Sequence, residues 1–170
     1  SNGPSQNLVD DYDMINGEPA FIYPGGVKTV NPDSGYDPQD PYKDRDPRFG
    51  ATIIYDSSMY HGDLHEMWVA SDGESWAFDS YRQSGDNPRT NYVLKKFMPD
   101  ESVPLSWQEN YSNPWIIFRL GEIYLNYAEA MFELGEEDVC REYISKVRER
   151  VGMPEIPDDV SGEELRRRLY

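Results

Sequence analysis

The sequence predicts an α+β chain, mainly α. Its C-terminal third reads as a tetratricopeptide-like helical hairpin. A loop-rich, aromatic-rich region with a few short strands precedes it. Three observations carry this reading. Apolar residues recur at helical spacing between positions 113 and 152. Eleven of the thirteen prolines lie between Pro4 and Pro114, and none lies from position 115 to 153. The best β-branched run, residues 51–55, is only one short strand long. The chain therefore divides into a loop-rich part, 1–112, and a helical part, 113–170, within a single fragment.

Residues 1–41 show no sustained period. Asn16-Gly17 and Gly25-Gly26 signal turns, and Asn31-Pro32, Asp37-Pro38 and Asp40-Pro41 punctuate an extended passage. Asp10, Asp11 and Asp13 cluster, but their spacing fits no calcium loop, and a solvated turn is expected. Arg45-Asp46-Pro47-Arg48 can pair locally and brace the chain ahead of the strand at 51–55. A second short strand is expected at 92–97, and a loop carrying Trp107 and Tyr111 follows.

Asn113 and Pro114 form a helix-start pair, an acceptor followed by a residue with no N–H to satisfy. Ile116, Leu120, Ile123, Tyr127, Met131 and Leu134 then step by three and four, which predicts the buried stripe of a helix ending at Gly135. Cys140, Ile144, Val147 and Val151 make the stripe of a second helix, closed by Gly152 and Pro154. Cys140 is expected to be buried and inert; as the single cysteine it excludes an internal disulfide. The very short turn makes the pair an antiparallel hairpin. Ile117, Leu120, Gly121 and Tyr124 fit the first-helix spacing of a tetratricopeptide repeat, whereas the second helix does not. Ser161 and Glu164 form a capping box opening a last helix, in which Arg166, Arg167 and Arg168 are expected on a solvated face.

Composition bounds function. The net charge of −16, from 32 acidic and 16 basic residues, argues against nucleic acid and anionic membrane surfaces. No stretch reads as a signal peptide or a membrane span. His61 and His65 stand four apart, but Gly62 weakens a helix and a third ligand is missing, so no metal site is expected. No nucleophile elbow, zinc motif or phosphate loop occurs.

The run RLGEIYLNYAEAMFELGEEDVCREYISKVRERVGMP, Arg119 to Pro154, resembles the signature helix pair of the SusD/RagB family. YKDRDPRFGATIIYD, Tyr42 to Asp56, is similar to that family's Arg-Asp-Pro-Arg-Phe approach to a strand. Family members are much longer, so the chain is expected to be an internal or C-terminal fragment. The resemblance implies a surface-exposed outer-membrane lipoprotein of a Bacteroidetes-type bacterium, held to the membrane only by a lipid anchor outside this chain. It implies capture of oligosaccharide or polysaccharide for uptake, delivery to a SusC-like TonB-dependent transporter, no catalysis and no cofactor.

In that family loops supply the aromatic platform, which directs attention to residues 59–91. A pyranose has an apolar C–H face, which suits a flat ring, and a rim of hydroxyls, which suits Asp, Asn and Arg. The candidates are Trp68, Trp76 and Tyr81, then Tyr60, Arg82 and Asn91. Half-covering one large ring contributes roughly 2–3 kcal/mol, while millimolar affinity needs about 4, so two or three rings in an arc are expected. Two alternatives use the same residues: a protein-interaction module contacting the transporter, since Trp, Tyr and Arg also dominate hot spots, and a glycoside hydrolase, which needs a carboxylate pair that composition alone cannot identify.

Overall fold

A computed structural model describes residues 3–104, 106, 114 and 116–169. The chain forms two compact units: Ser1–Tyr12 with Arg48–Pro114, and Asp13–Pro47 with Trp115–Tyr170. By contacts, the segment Asp13–Pro47 thus groups with the helices.

The first unit contains helix α1 (Gln6–Asp10), whose N-terminus is capped by Ser5 Oγ accepting from the Leu8 N–H at 3.2 Å. Helix α2 (Pro47–Thr52) leads into strand β3 (Ile53–Ile54). The expected strand at 51–55 is therefore shorter, because Pro47 starts a helical turn that runs on through Ala51 and Thr52. Its partner is β6 (Val93–Leu94), antiparallel, with Ile53 opposite Leu94. Between them β4 (Ser58–Tyr60) and β5 (Asp63–His65) form a hairpin. His61 and Gly62 make its two-residue turn with φ of 52° and 82°; two left-handed residues match the twist of the strands. Ile54, Tyr60 and Met67 form the local core with Val93 against them. Phe49 stacks on Tyr55 at 4.7 Å and meets the edge of Tyr12 at 5.5 Å.

In the second unit β1 (Phe21–Ile22) pairs with β2 (Thr29–Val30), and three helices follow, α3 (Leu120–Glu133), α4 (Glu137–Glu149) and α5 (Gly162–Leu169). Their core is Ala128, Cys140, Ile144, Ile156, Leu165 and Leu169, edged by Leu125, Phe132, Tyr143 and Val160. Gly135 ends α3 with φ 80°. Its N–H reaches Phe132 O at 2.9 Å and the Glu136 N–H reaches Met131 O at 2.9 Å, a Schellman cap. The connection is so short that α3 and α4 run antiparallel.

Several expectations for this unit are corrected. The Asn113 cap, with Trp107 and Tyr111, lies outside the described residues. Helix α3 begins at Leu120 after an extended Arg119, and Ile116, Ile117 and Phe118 are exposed and non-helical. The predicted buried stripe faces outward: Leu120, Ile123, Tyr127 and Leu134 are 64%, 51%, 42% and 71% exposed. The inward row is Leu125, Ala128 and Phe132, one residue round the helix. Both rows are apolar, and the small Ala128 lets the neighbouring helices approach closely, so packing selects the second. Glu164 does not close a capping box, because its carboxylate accepts from Arg168 Nε at 3.0 Å and from Arg167. Nor is Arg168 solvated: it donates to Gly17 O and to Glu18 at 3.1 Å. Asp13 is no free turn residue, for it holds Arg148 at 2.7 Å. Arg45 is buried and its Nη1 donates to Pro41 O at 3.0 Å, which is bracing. No helix among the described residues is long and apolar enough to cross a membrane.

Candidate functional site

The exposed rings of the first unit cluster on an irregular ribbon. Residues 66–70 run antiparallel to 75–79: Asp79 N–H donates to Glu66 O at 3.1 Å, Ala77 N–H to Trp68 O at 3.0 Å, and Ala70 N–H to Ser75 O at 2.9 Å. Val69 and Trp76 form a β-bridge in the same register. The turn joining the strands is fixed by Asp72, whose carboxylate accepts the Glu74 N–H at 2.9 Å, and by Gly73 at φ 70°.

This register decides where the two indoles go. Trp68 stands opposite Ala77, and Trp76 stands opposite Val69. Side chains alternate along a strand, so Trp68 and Trp76 leave the ribbon on opposite faces. Both are exposed, as is Phe78, and among the described residues no ring packs on either indole. The expected arc of rings is therefore not formed by Trp68 and Trp76 together.

Trp76 has its own setting. Its indole N–H donates to Gln83 Oε1 at 3.2 Å, which orients the ring, and the side chain is 40% exposed. Gln83 follows Arg82, whose Nη2 lies 3.1 Å from where a Cβ on Gly73 would sit. Its guanidinium is 5.9 Å from the Tyr81 ring centre. Tyr81 is half-buried and its N–H donates to Asn91 Oδ1 at 3.2 Å. Asn91 itself has φ 56°, so its side chain is spent on holding the loop. Asn87 Nδ2 donating to Ser80 O at 2.9 Å closes the other end. Trp76, Arg82, Tyr81 and Asn91 are thus linked through the ribbon turn and the 80–91 loop. Trp68 stands apart.

Tyr60 is corrected: it is 4% exposed, its hydroxyl donates to Pro99 O at 3.1 Å, and it belongs to the core. Burial pushes its phenol up, with Glu101 and Asp100 adding to the shift, so it stays neutral. Gln83 and Gly73 lie outside the sequence candidates, and Phe78 is one of the rings of residues 59–91 but not a candidate. Phe78 had a signal, two residues from Trp76 in an alternating run; Gln83 had none.

The histidines do not converge. His65 Nδ1 lies at hydrogen-bond distance, 3.1 Å, from Asp79 Oδ2, and His61 occupies the hairpin turn. Among the described residues no three His, Cys, Asp or Glu are arranged to hold a metal ion. A shallow groove of about 350 Å³ runs beside α4, but its cations are already used: Arg141 pairs with Asp138 and donates to Val160 O at 2.8 Å, and Lys146 pairs with Glu142.

The sequence model of the SusD family matches residues 1–168. Among solved structures, the fold is similar to a SusD-like protein from Bacteroides fragilis NCTC 9343, at 26% identity and a TM-score of 0.69, over 98% of this chain and 32% of that one. It is also similar to a SusD-like carbohydrate binding protein from the same organism, at 24% identity and a TM-score of 0.67, over 97% of this chain and 31% of that one. The chain therefore spans about a third of the length of these relatives. No curated protein matches it.

Proposed function

The chain belongs to the SusD family, and from that premise we propose that it binds oligosaccharide or polysaccharide without transforming it. The observation that carries this is the exposed indole of Trp76, oriented by Gln83, with Arg82 and Tyr81 next in the same loop and Arg82 set against the Gly73 turn. One ring half-covered by a pyranose contributes roughly 2–3 kcal/mol. Charge-assisted hydrogen bonds from the neighbouring guanidinium supply about 1.5–3 kcal/mol more, which brings millimolar affinity within reach. Trp68, on the opposite face of the ribbon, offers a separate and secondary contact for another stretch of a polysaccharide. The relative described as a carbohydrate binding protein supports the reading. The hairpin of α3 and α4 is taken as a tetratricopeptide-like scaffold. The parent protein acts at the outer-membrane surface and delivers glycan to a SusC-like TonB-dependent transporter.

A second reading, contact with a protein partner such as that transporter, is favoured by the exposed apolar row Leu120, Ile123 and Leu134 on α3. A fluorescence titration separates the two. Glycan binding predicts that millimolar oligosaccharide shifts or quenches tryptophan emission in the wild type and not in Trp76→Ala. Emission unchanged by every sugar in a folded chain would leave only the protein-contact reading.

A further inference from the structure

We infer that the Trp76–Arg82 side of the site selects glycans that carry a carboxylate, a uronic acid residue set among neutral sugars. The inference rests on the glycan-binding reading and names its substrate class.

The argument starts from which arginines are already satisfied. In the second unit Arg141, Arg148, Arg166, Arg167 and Arg168 each have a carboxylate partner. In the first unit Arg82 and Arg89 have none among the described residues, although the chain holds 32 acidic residues to 16 basic ones. Arg119 and Arg150 in the second unit also lack a carboxylate among the described residues, so what distinguishes Arg82 and Arg89 is their place in the loop that carries Gln83, the partner of the Trp76 indole. The Tyr81 ring at 5.9 Å from the Arg82 guanidinium leaves the charge and its hydrogen-bond donors available.

Position turns this charge into a binding group. Gly73 has no side chain, which lets Arg82 lie against the turn that leads into Trp76. Gln83, the next residue, grips the indole N–H. One short loop therefore fixes both a flat apolar face and a planar fork of donors. A uronic acid offers the matching pair: an apolar face of ring C–H groups, and a planar carboxylate fixed to C5 at the edge of that face. Guanidinium and carboxylate pair through two parallel hydrogen bonds, which a neutral hydroxymethyl group at C5 cannot make. The net charge of −16 repels a dense polyanion, but screening over about 8 Å at physiological salt leaves a single carboxylate to respond to its nearest charges. An isolated uronate in a neutral chain is thus the fitting ligand.

The test uses a xylo-oligosaccharide bearing one glucuronic acid branch and the same compound with its carboxyl reduced to the alcohol. Calorimetric titration of the wild type is expected to give at least roughly tenfold tighter binding of the acidic form, a preference that shrinks as salt rises. Arg82→Gln weakens both forms but the acidic form by at least roughly tenfold more, which erases the preference. Trp76→Ala weakens both forms. Equal affinity for the two forms, or a preference that survives Arg82→Gln, overturns the inference and leaves glycan binding standing. No binding of either form by the folded wild type also overturns it. If in addition no neutral glycan binds, the glycan-binding reading falls with it.

Discussion

Arg148 Nη1 donates to Asp13 Oδ2 at 2.7 Å across 135 residues of chain. The same guanidinium donates through Nη2 to Gly17 O at 3.0 Å and through Nε to Pro154 O at 2.8 Å. Arg148 is 4% exposed, so all three of its nitrogens are satisfied by groups that water does not replace. One side chain thus fastens the 13–17 turn to the end of α4. Breaking a buried charged pair from one side leaves the other charge uncompensated, at a cost of about 3–5 kcal/mol. Arg148→Met and Asp13→Asn are each expected to lower the urea midpoint by that order without changing the slope. Arg148→Lys does not rescue, because an ammonium cannot span three acceptors in one plane. A loss below about 1 kcal/mol in both variants would show the pair to be incidental.

The outward row of α3 leads to a second expectation. Leu120 and Ile123 are exposed, whereas Ala128 is fully buried. Leu120→Lys with Ile123→Lys is predicted to alter stability by no more than about 0.5 kcal/mol per site and to reduce concentration-dependent self-association in sedimentation. Ala128→Leu overpacks the contact with α4 and α5 and costs about 1–3 kcal/mol. The reverse pattern would restore the stripe that periodicity alone suggested.

Cys140 gives a chemical probe of the same core. Burial pushes its thiol up, and Arg141 offsets this only in part. The folded chain keeps the proton over a range where the unfolded thiol loses it. Stability is therefore level below the ordinary thiol value and falls as pH rises through and above it. Iodoacetamide at about pH 8 is expected to spare Cys140 in the native protein and to alkylate it readily in denaturant. Rapid alkylation without denaturant would place the thiol outside the core.

Tyr60→Phe separates core from site. It removes the hydrogen bond to Pro99 O and is expected to cost about 1 kcal/mol of stability, with no change in glycan affinity. A loss of affinity at unchanged stability would return Tyr60 to the binding surface.

The contrast between what could be read and what could not has physical causes. Gly135 and Gly152 were legible as helix ends because only a left-handed residue closes them, and they adopt φ of 80° and 78°. Cys140 was legible because its stripe is the only apolar one on α4. The inward face of α3 was not, since two adjacent rows are equally apolar and the choice lies with Ala128 and its neighbours. The sequence alone puts Arg168 on a solvated face because its partners, Gly17 and Glu18, are 151 and 150 residues away. At the candidate site the rings were visible, but their faces depended on the 66–79 register, which turn chemistry around Asp72 and Gly73 sets and hydrophobic pattern does not.

Affinity electrophoresis across a polysaccharide panel tests the central claim most directly, with wild type, Trp76→Ala, Trp68→Ala and the double variant run side by side. The account predicts that at least one polysaccharide retards the wild type, that Trp76→Ala loses most of the retardation, and that the double variant loses all of it. A folded wild type retarded by no glycan, or a double variant retarded as strongly as the wild type, would contradict it.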